Sequence, residues 1–249
     1  MIDPRAYIIG ERLRQVRRVI VVASGKGGVG KTLFSSTLAL SLRGAGLRAG
    51  LLDLDLNGPA CHLVLGVKGA HPVEDKGILP VDVGGVKFLS IHFFVGDRPV
   101  PLRGSDKTRA ILEILAITRW PPLDFLVVDM PPGTDDEVLD VMKLMRGREF
   151  VILVTPSILA MEAVSRLASL LKEEEMRILG LVGNMVAGER DAGRVKLFSS
   201  KLGLRLLGLI GFDEGVEERI GNLRELERTK FYRDVCRVVS EIINVPPAP

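Results

Sequence analysis

The chain has 249 residues, 47% of them apolar, 26% charged and only 5% aromatic; this balance excludes a globally disordered chain and fits one sheet-centred globular domain. Its 34 basic and 31 acidic side chains are interleaved and leave a net charge of +3, too weak a field to signal nucleic acid, and the longest apolar run, "FVILVTPSILAM", is too short and interrupted to span a bilayer. Two cysteines far apart, Cys61 and Cys236, with no C-x-x-C and no Cys/His cluster, exclude a disulfide framework or a local metal knuckle and suit a reducing, cytoplasmic setting.

In chain order, residues 1–18 read as a basic leader, with the four arginines of "ERLRQVRR" (11–18) on a solvated helix, and 19–249 as a single domain. Apolar runs follow at 19–24, 49–55, 86–91, 124–130, 150–156, 178–185 and 206–211. Most lack in/out alternation, as strands covered on both faces do. Helical patterns fall between them at 31–46, 105–118, 135–147, 157–175 and 229–245. In the last, Cys236 is placed among Phe231, Val235, Val238, Val239 and Ile242 on a core-facing stripe. Residues 66–85, rich in glycine, proline and charge, are expected to form a surface loop with one hairpin. Alternating strands and helices predict an α/β fold: a doubly wound, mostly parallel twisted sheet with helices on both faces.

The stretch "SGKGGVGKT" (24–32) satisfies G-x-x-x-x-G-K-[ST] through Gly25, Gly30, Lys31 and Thr32, after an apolar strand and before a helix. Glycines let successive backbone N–H groups (Lys26, Gly27, Gly28, Val29, Gly30) turn around an anion at a helix N-terminus. Lys31 then reaches the β and γ phosphates, and the Thr32 hydroxyl can ligate Mg²⁺. "LLDLDLNGP" places Asp53 and Asp55 two apart at a strand end, where carboxylates can hold Mg²⁺-bound water or orient an attacking water. "DFLVVDMPPGT" ends a buried strand in Asp129, at the position that serves Mg²⁺, and Gly133 follows in a turn that brings an N–H toward the γ phosphate. No N-K-x-D element for guanine is present, which favours ATP over GTP. Asn184, in "VGNM", stands at a strand end, where it caps a turn or meets a base.

The second lysine of the loop, Lys26, makes "KGGVGKT" resemble the ParA/MinD/NifH superfamily of dimeric P-loop ATPases. That resemblance implies that Lys26 crosses a two-fold interface to the partner's nucleotide, coupling hydrolysis to closure of a homodimer. It also implies a water-positioning role for Asp55 and an adenine contact for Asn184. The phrases "LDLDLNGPACHLVLG", "PLRGSDKTRAILEIL", "VVDMPPGT" and "LVGNM" are similar to those of the Mrp/ApbC family of iron-sulfur cluster carrier ATPases. Members of that family commonly hold a bridging cluster through a C-x-x-C soon after the Asn-Met phrase. Here "VAGERDAGRVKLFSSKLG" follows Met185 and contains no cysteine, so no iron-sulfur cluster is expected through those ligands, and Cys61 and Cys236 are read as small packed residues. The resemblance thus implies a Mg²⁺-dependent ATPase of iron-sulfur assembly or a related delivery task. A MinD- or ParA-like spatial organiser and a binding module with little turnover are the alternatives; no strong membrane or nucleic-acid signal favours the former.

Overall fold

The computed structural model describes residues 4–96, 105–131, 133, 142–145 and 147–247. Of the helix expected over 135–147, residues 135–141 and 146 lie outside them, as do Pro132 and Thr134. The strands are β1 (Val16–Ser24), β2 (Ala49–Asp53), β3 (Val73–Glu74), β4 (Ile78–Leu79), β5 (Val81–Val83), β6 (Val86–Ser90), β7 (Leu123–Asp129), β8 (Arg148–Val154), β9 (Ile178–Val186) and β10 (Leu206–Gly211). The helices are α1 (Pro4–Arg12), α2 (Lys31–Gly44), α3 (Cys61–Val64), α4 (His92–Val95), α5 (Ser105–Ile117), α6 (Ile158–Glu173), α7 (Glu189–Leu202), α8 (Leu223–Leu226) and α9 (Lys230–Asn244).

Every apolar run predicted as a strand is one, and all lie in a single sheet of order β10-β9-β8-β1-β7-β2-β6-β5. Among the described residues of this sheet, only β5 runs antiparallel to its neighbour, β6. Along β8, each residue from Phe150 to Val154 is fully buried. Successive side chains point to opposite faces, so both faces of the sheet are covered. The central strand, β1, has β7 on one side and β8 on the other, with β2 beyond β7. The chain therefore leaves β1 in one direction and later returns to its other flank, and the carboxyl end of β1 is the crevice where such sheets place ligands.

Helix α9 follows from its sequence: the Thr229 side chain caps it by accepting from the Tyr232 N–H, and Phe231, Val235, Val238, Val239 and Ile242 form the buried stripe. Cys236 is half-buried beside that stripe rather than within it, because it lies one residue past Val235 and is rotated off the core face. Helix α7 was not among the predicted helices. Its buried residues are Ala192, Val195 and Ser199, a stripe too narrow and too polar to stand out against a charged segment.

The leader also differs from expectation. Helix α1 stops at Arg12 and β1 begins at Val16, so Arg17 and Arg18 belong to the sheet, and Arg18 is buried. Residues 66–85 contain the expected hairpin, β3–β4, and additionally supply β5 to the sheet edge. Among the described residues, no helix is long and apolar enough to cross a membrane.

Candidate functional site

The glycine-rich loop leaves β1 at Ser24 and enters α2 at Lys31. Gly28 and Gly30 have φ of 77° and 83°, a left-handed backbone that side chains resist and that lets consecutive amides face one way. Gly30 is also the N-cap of α2 and provides no side-chain cap, so the first-turn N–H groups are left to an outside acceptor. Gly25 is needed for space: a Cβ there would stand 2.4 Å from the backbone of Ala163 in α6. The loop, Leu33 and Asp55 line a cleft of about 230 Å³.

Beneath the loop the strand ends form a row, in which register sets Asp53 of β2 opposite Asp129 of β7 and Ser90 of β6 opposite Asp53. Asp129 is fully buried. Its Oδ1 accepts from Lys31 Nζ at 2.7 Å and from Ser35 Oγ at 2.7 Å, and its Oδ2 from Thr32 Oγ1 at 2.8 Å. Asp53 accepts from the Asp55 and Cys61 amides at 3.1 and 3.2 Å and from Ser90 Oγ at 3.1 Å. Burial, followed by the facing Asp129 charge, nevertheless pushes the Asp53 carboxyl up to about 7, because one lysine offsets only part of two buried carboxylates.

Cys61, the first residue of α3, closes this row from the side. It is fully buried, as expected for a packed residue, yet it packs against the carboxylates, with Sγ 3.7 Å from Asp129 Oδ2. Burial and the Asp53 and Asp129 charges push its thiol well above the ordinary range. Behind it, the rings of His62 and His92 stack 3.6 Å apart.

The other predicted site residues gather around this centre. Asp55 lines the cleft, and its Oδ1 accepts from the Asn57 and Gly58 amides, both at 3.2 Å. Lys26 is half-buried at the cleft, and its carbonyl accepts from Ser24 Oγ at 3.1 Å. The Gly133 N–H is bonded to the Ser24 carbonyl at 3.2 Å, which joins the turn after β7 to the end of β1. Asn184 is buried, and its Nδ2 donates to the Val29 carbonyl at 2.8 Å; one of its two N–H groups thus braces the loop. Sequence reasoning did not single out Ser35 and Ser90. Ser35 lies one helical turn after Lys31, a spacing that puts both on the face toward Asp129.

A second, larger cleft of about 470 Å³ lies near the amino ends of the strands, between Gln15, Lys87 and Trp120. Of its cations, Lys87 and Arg119 are paired with Asp82 and Asp75, and Arg12 donates to the carbonyls of Ala116 and Lys76; among the described residues no carboxylate row or glycine loop adjoins it.

Backbone amides at a helix start, a lysine, a hydroxyl and a strand-end carboxylate together suit a nucleotide's phosphates. Thr32 Oγ1 and Asp129 Oδ2, 2.8 Å apart, are oxygen donors that fit Mg²⁺. Comparison with known proteins agrees with this chemistry. The family model for ParA-type proteins described as "NUBPL iron-transfer P-loop NTPase" matches residues 15–225. An iron-sulfur cluster carrier protein of Saccharolobus solfataricus is 37% identical over 226 residues, covering 83% of this chain and 75% of its own. A cytosolic Fe-S cluster assembly factor Nubp2 homolog of Drosophila pseudoobscura pseudoobscura is 38% identical over 209 residues, covering 80% and 81%. Among solved structures, a nucleotide-binding protein of Archaeoglobus fulgidus in complex with ADP superposes with a TM-score of 0.75 at 28% identity, over 90% of this chain and 93% of that one. The cell division ATPase MinD of Pyrococcus furiosus, at TM-score 0.68 and 21% identity over 92% and 100%, shares the fold. The chain therefore belongs to the NUBPL family of iron-transfer P-loop NTPases, the Mrp/ApbC type of the ParA/MinD-like superfamily.

Proposed function

We propose that this chain binds and slowly hydrolyses ATP with Mg²⁺ as a nucleotide-controlled homodimer in the cytoplasm, serving iron-sulfur cluster assembly or a related delivery task without the family's usual C-x-x-C. The observation that carries this reading is the convergence of the left-handed glycine loop, Lys31 and Thr32 on Asp129 at the end of the neighbouring strand.

Binding begins with an exchange of partners. The Lys31 ammonium, 2.7 Å from Asp129 in the fold, moves to the β and γ phosphates while the loop amides of Lys26 to Thr32 hold the remaining oxygens. Asp129 is then released to face the cation with Thr32, and Asp53 stands behind it. Mg²⁺ held by Thr32 and Asp129 would supply charge neutralisation at the phosphate oxygens. Asp55, fixed by two backbone amides, accepts a hydrogen bond from the attacking water and aligns it. Lys26 extends toward a second copy's phosphates and adds a cation that arrives only on closure. The Gly133 amide donates to the Ser24 carbonyl rather than toward the phosphates, so it would meet the γ phosphate only by leaving that bond, and departure of the phosphate would let the turn after β7 relax back onto β1. Asn184 contributes by seating Val29 and offering its oxygen toward adenine.

The decisive experiment measures oligomeric state and phosphate release together, in ATP with magnesium and in ADP. A dimer that forms with ATP, a turnover that rises with protein concentration and loss of both in ADP are expected. A monomer that turns over at full rate would refute the dimer-coupled reading.

A further inference from the structure

We propose that the cleft near the amino ends of the strands is a second binding site, separate from the glycine loop, and that it takes a small amphipathic carboxylate: a molecule with an apolar body and one anionic head.

Size and walls set the class of ligand. The cleft measures about 470 Å³, against about 230 Å³ beside the glycine loop, and falls in the range that small-molecule sites occupy. Leu79, Pro80, Trp120 and Pro121 give it apolar walls. Those walls are fastened. Arg12 donates from Nε to the Ala116 carbonyl at 2.9 Å and from Nη2 to the Lys76 carbonyl at 3.2 Å, and the Arg119 N–H donates to the Ile78 carbonyl at 2.9 Å. The β3–β4 hairpin that leads into Leu79 and Pro80 is thereby tied to the end of α5 and to the segment carrying Trp120.

Charge selects the head. Three cations line the cleft, Arg12, Lys87 and Arg119, against one carboxylate, Glu11. Glu11 is exposed and stands 3.7 Å from Arg14. Lys87 and Arg119 pair with Asp82 and Asp75, and all four side chains are more than a third exposed, so these pairs are weak and open to exchange. Arg12 differs from both. Its bonds go to neutral carbonyls, and among the described residues no carboxylate answers it. A guanidinium has five N–H groups, which leaves Arg12 donors to spare for an incoming oxyanion.

A stranded donor adds independent support. Trp120 is 5% exposed, and its Nε1 is buried without a hydrogen-bond partner. The Cζ3 corner of the indole is set against β2, where a Cβ on Gly50 would stand 3.1 Å from it. Nε1 lies at the other end of the ring system, remote from that strand. An enclosed N–H with no acceptor destabilises the fold, and an oxygen supplied through the cleft that Trp120 lines would satisfy it. A carboxylate has two oxygens, enough for the indole and for Arg12.

Trp120 is the chain's only tryptophan, so a nitrogen–proton correlation spectrum of the full chain holds one indole N–H signal. Octanoate is the probe, and octanamide, the same chain without the charge, is its control; neither carries a ring that would shift the signal by itself. Octanoate should move the indole signal downfield to saturation at one molecule per chain and bind at least about tenfold more tightly than octanamide. Arg12→Gln should remove most of that preference and leave octanamide binding unchanged, whereas a merely structural loosening of the hairpin would weaken both alike. Should Arg12→Gln fold poorly, Lys87→Gln carries the same test, because Lys87 Nζ is bonded to Asp82 alone among the described residues; the preference should fall about threefold there. An indole signal unmoved by octanoate, octanamide bound as tightly as octanoate, or a preference untouched in the folded variants overturns the proposal.

Discussion

Two buried ionic clusters sit at opposite ends of the same sheet, and they are built differently. At the amino end, Glu149 lies between Arg18 and Arg177, at 2.7 and 3.3 Å. Arg18 also donates to the carbonyls of Ile242 and Val245, stands over the Phe125 ring, and is joined by Arg177, which donates to the Pro246 carbonyl. One carboxylate there meets two guanidiniums, and the cluster ties the end of α9 to β1. At the carboxyl end, two facing carboxylates share one lysine. The first cluster has its charge answered by fixed protein groups and works as a clamp. The second is answered only in part, by a flexible side chain to which we assign the phosphates as well, and such a half-answered cluster suits a site that admits a charged ligand.

The comparison is broken most severely at the clamp. Glu149→Ala leaves the buried Arg18 and the half-buried Arg177 without their carboxylate and should cost about 3–5 kcal/mol, lowering Tm by roughly 10 °C while ATP affinity in the surviving folded protein stays near wild type. Calorimetry and nucleotide titration on one preparation check both halves. Lys31→Ala should do the reverse: ATP binding weakens on the order of 100-fold as the charge-assisted contact to phosphate is lost. Near-native affinity in that variant would remove the phosphate cradle from consideration.

Lys26→Ala sharpens the contrast within the loop itself. Binding to a single copy should change little, while turnover and ATP-dependent dimerisation fall at least about tenfold; equal steady-state rates would show that this lysine is merely solvated.

The smallest expected effect is one of pH. Asp53 rises from an ordinary carboxyl value of 3.8 to about 7 in the fold, so between those values the folded chain keeps a proton that the unfolded chain releases. Its contribution to stability is therefore fully present below about pH 4 and is lost as pH rises through 7. Without nucleotide or divalent cation, Asp53→Asn should flatten that slope and leave the variant relatively more stable at pH 8 than at pH 5, as thermal melts across the range would record.

Much of this arrangement was legible in the amino-acid order. Unbroken apolar runs such as "VIVVAS" are short and rich in β-branched residues, which suits strands buried on both sides, and the glycine-lysine loop carries its own geometry. Asp129 follows from position alone, as the residue where a buried strand runs out. Contacts made across the ladder were not legible. Nothing local in "GPACHL" says that a turn after β2 folds Cys61 under Asp129, and nothing in "ERLRQVRR" says that Arg18 pairs with a glutamate 131 residues later. Both depend on strand order, which hydrophobic periodicity leaves open. Asn184 was read from its place at a strand end, but its bond to Val29 needed the neighbouring strand and loop in place.

The tight seat of Gly25 against Ala163 has a thermodynamic consequence. A loop whose floor is another helix's backbone has few alternative shapes, so most of its conformational entropy is surrendered during folding rather than at the moment of capture. Gly25→Ala would thus cost twice, once in prying the two segments apart and again in leaving a slack receptor that must be ordered anew by each incoming triphosphate.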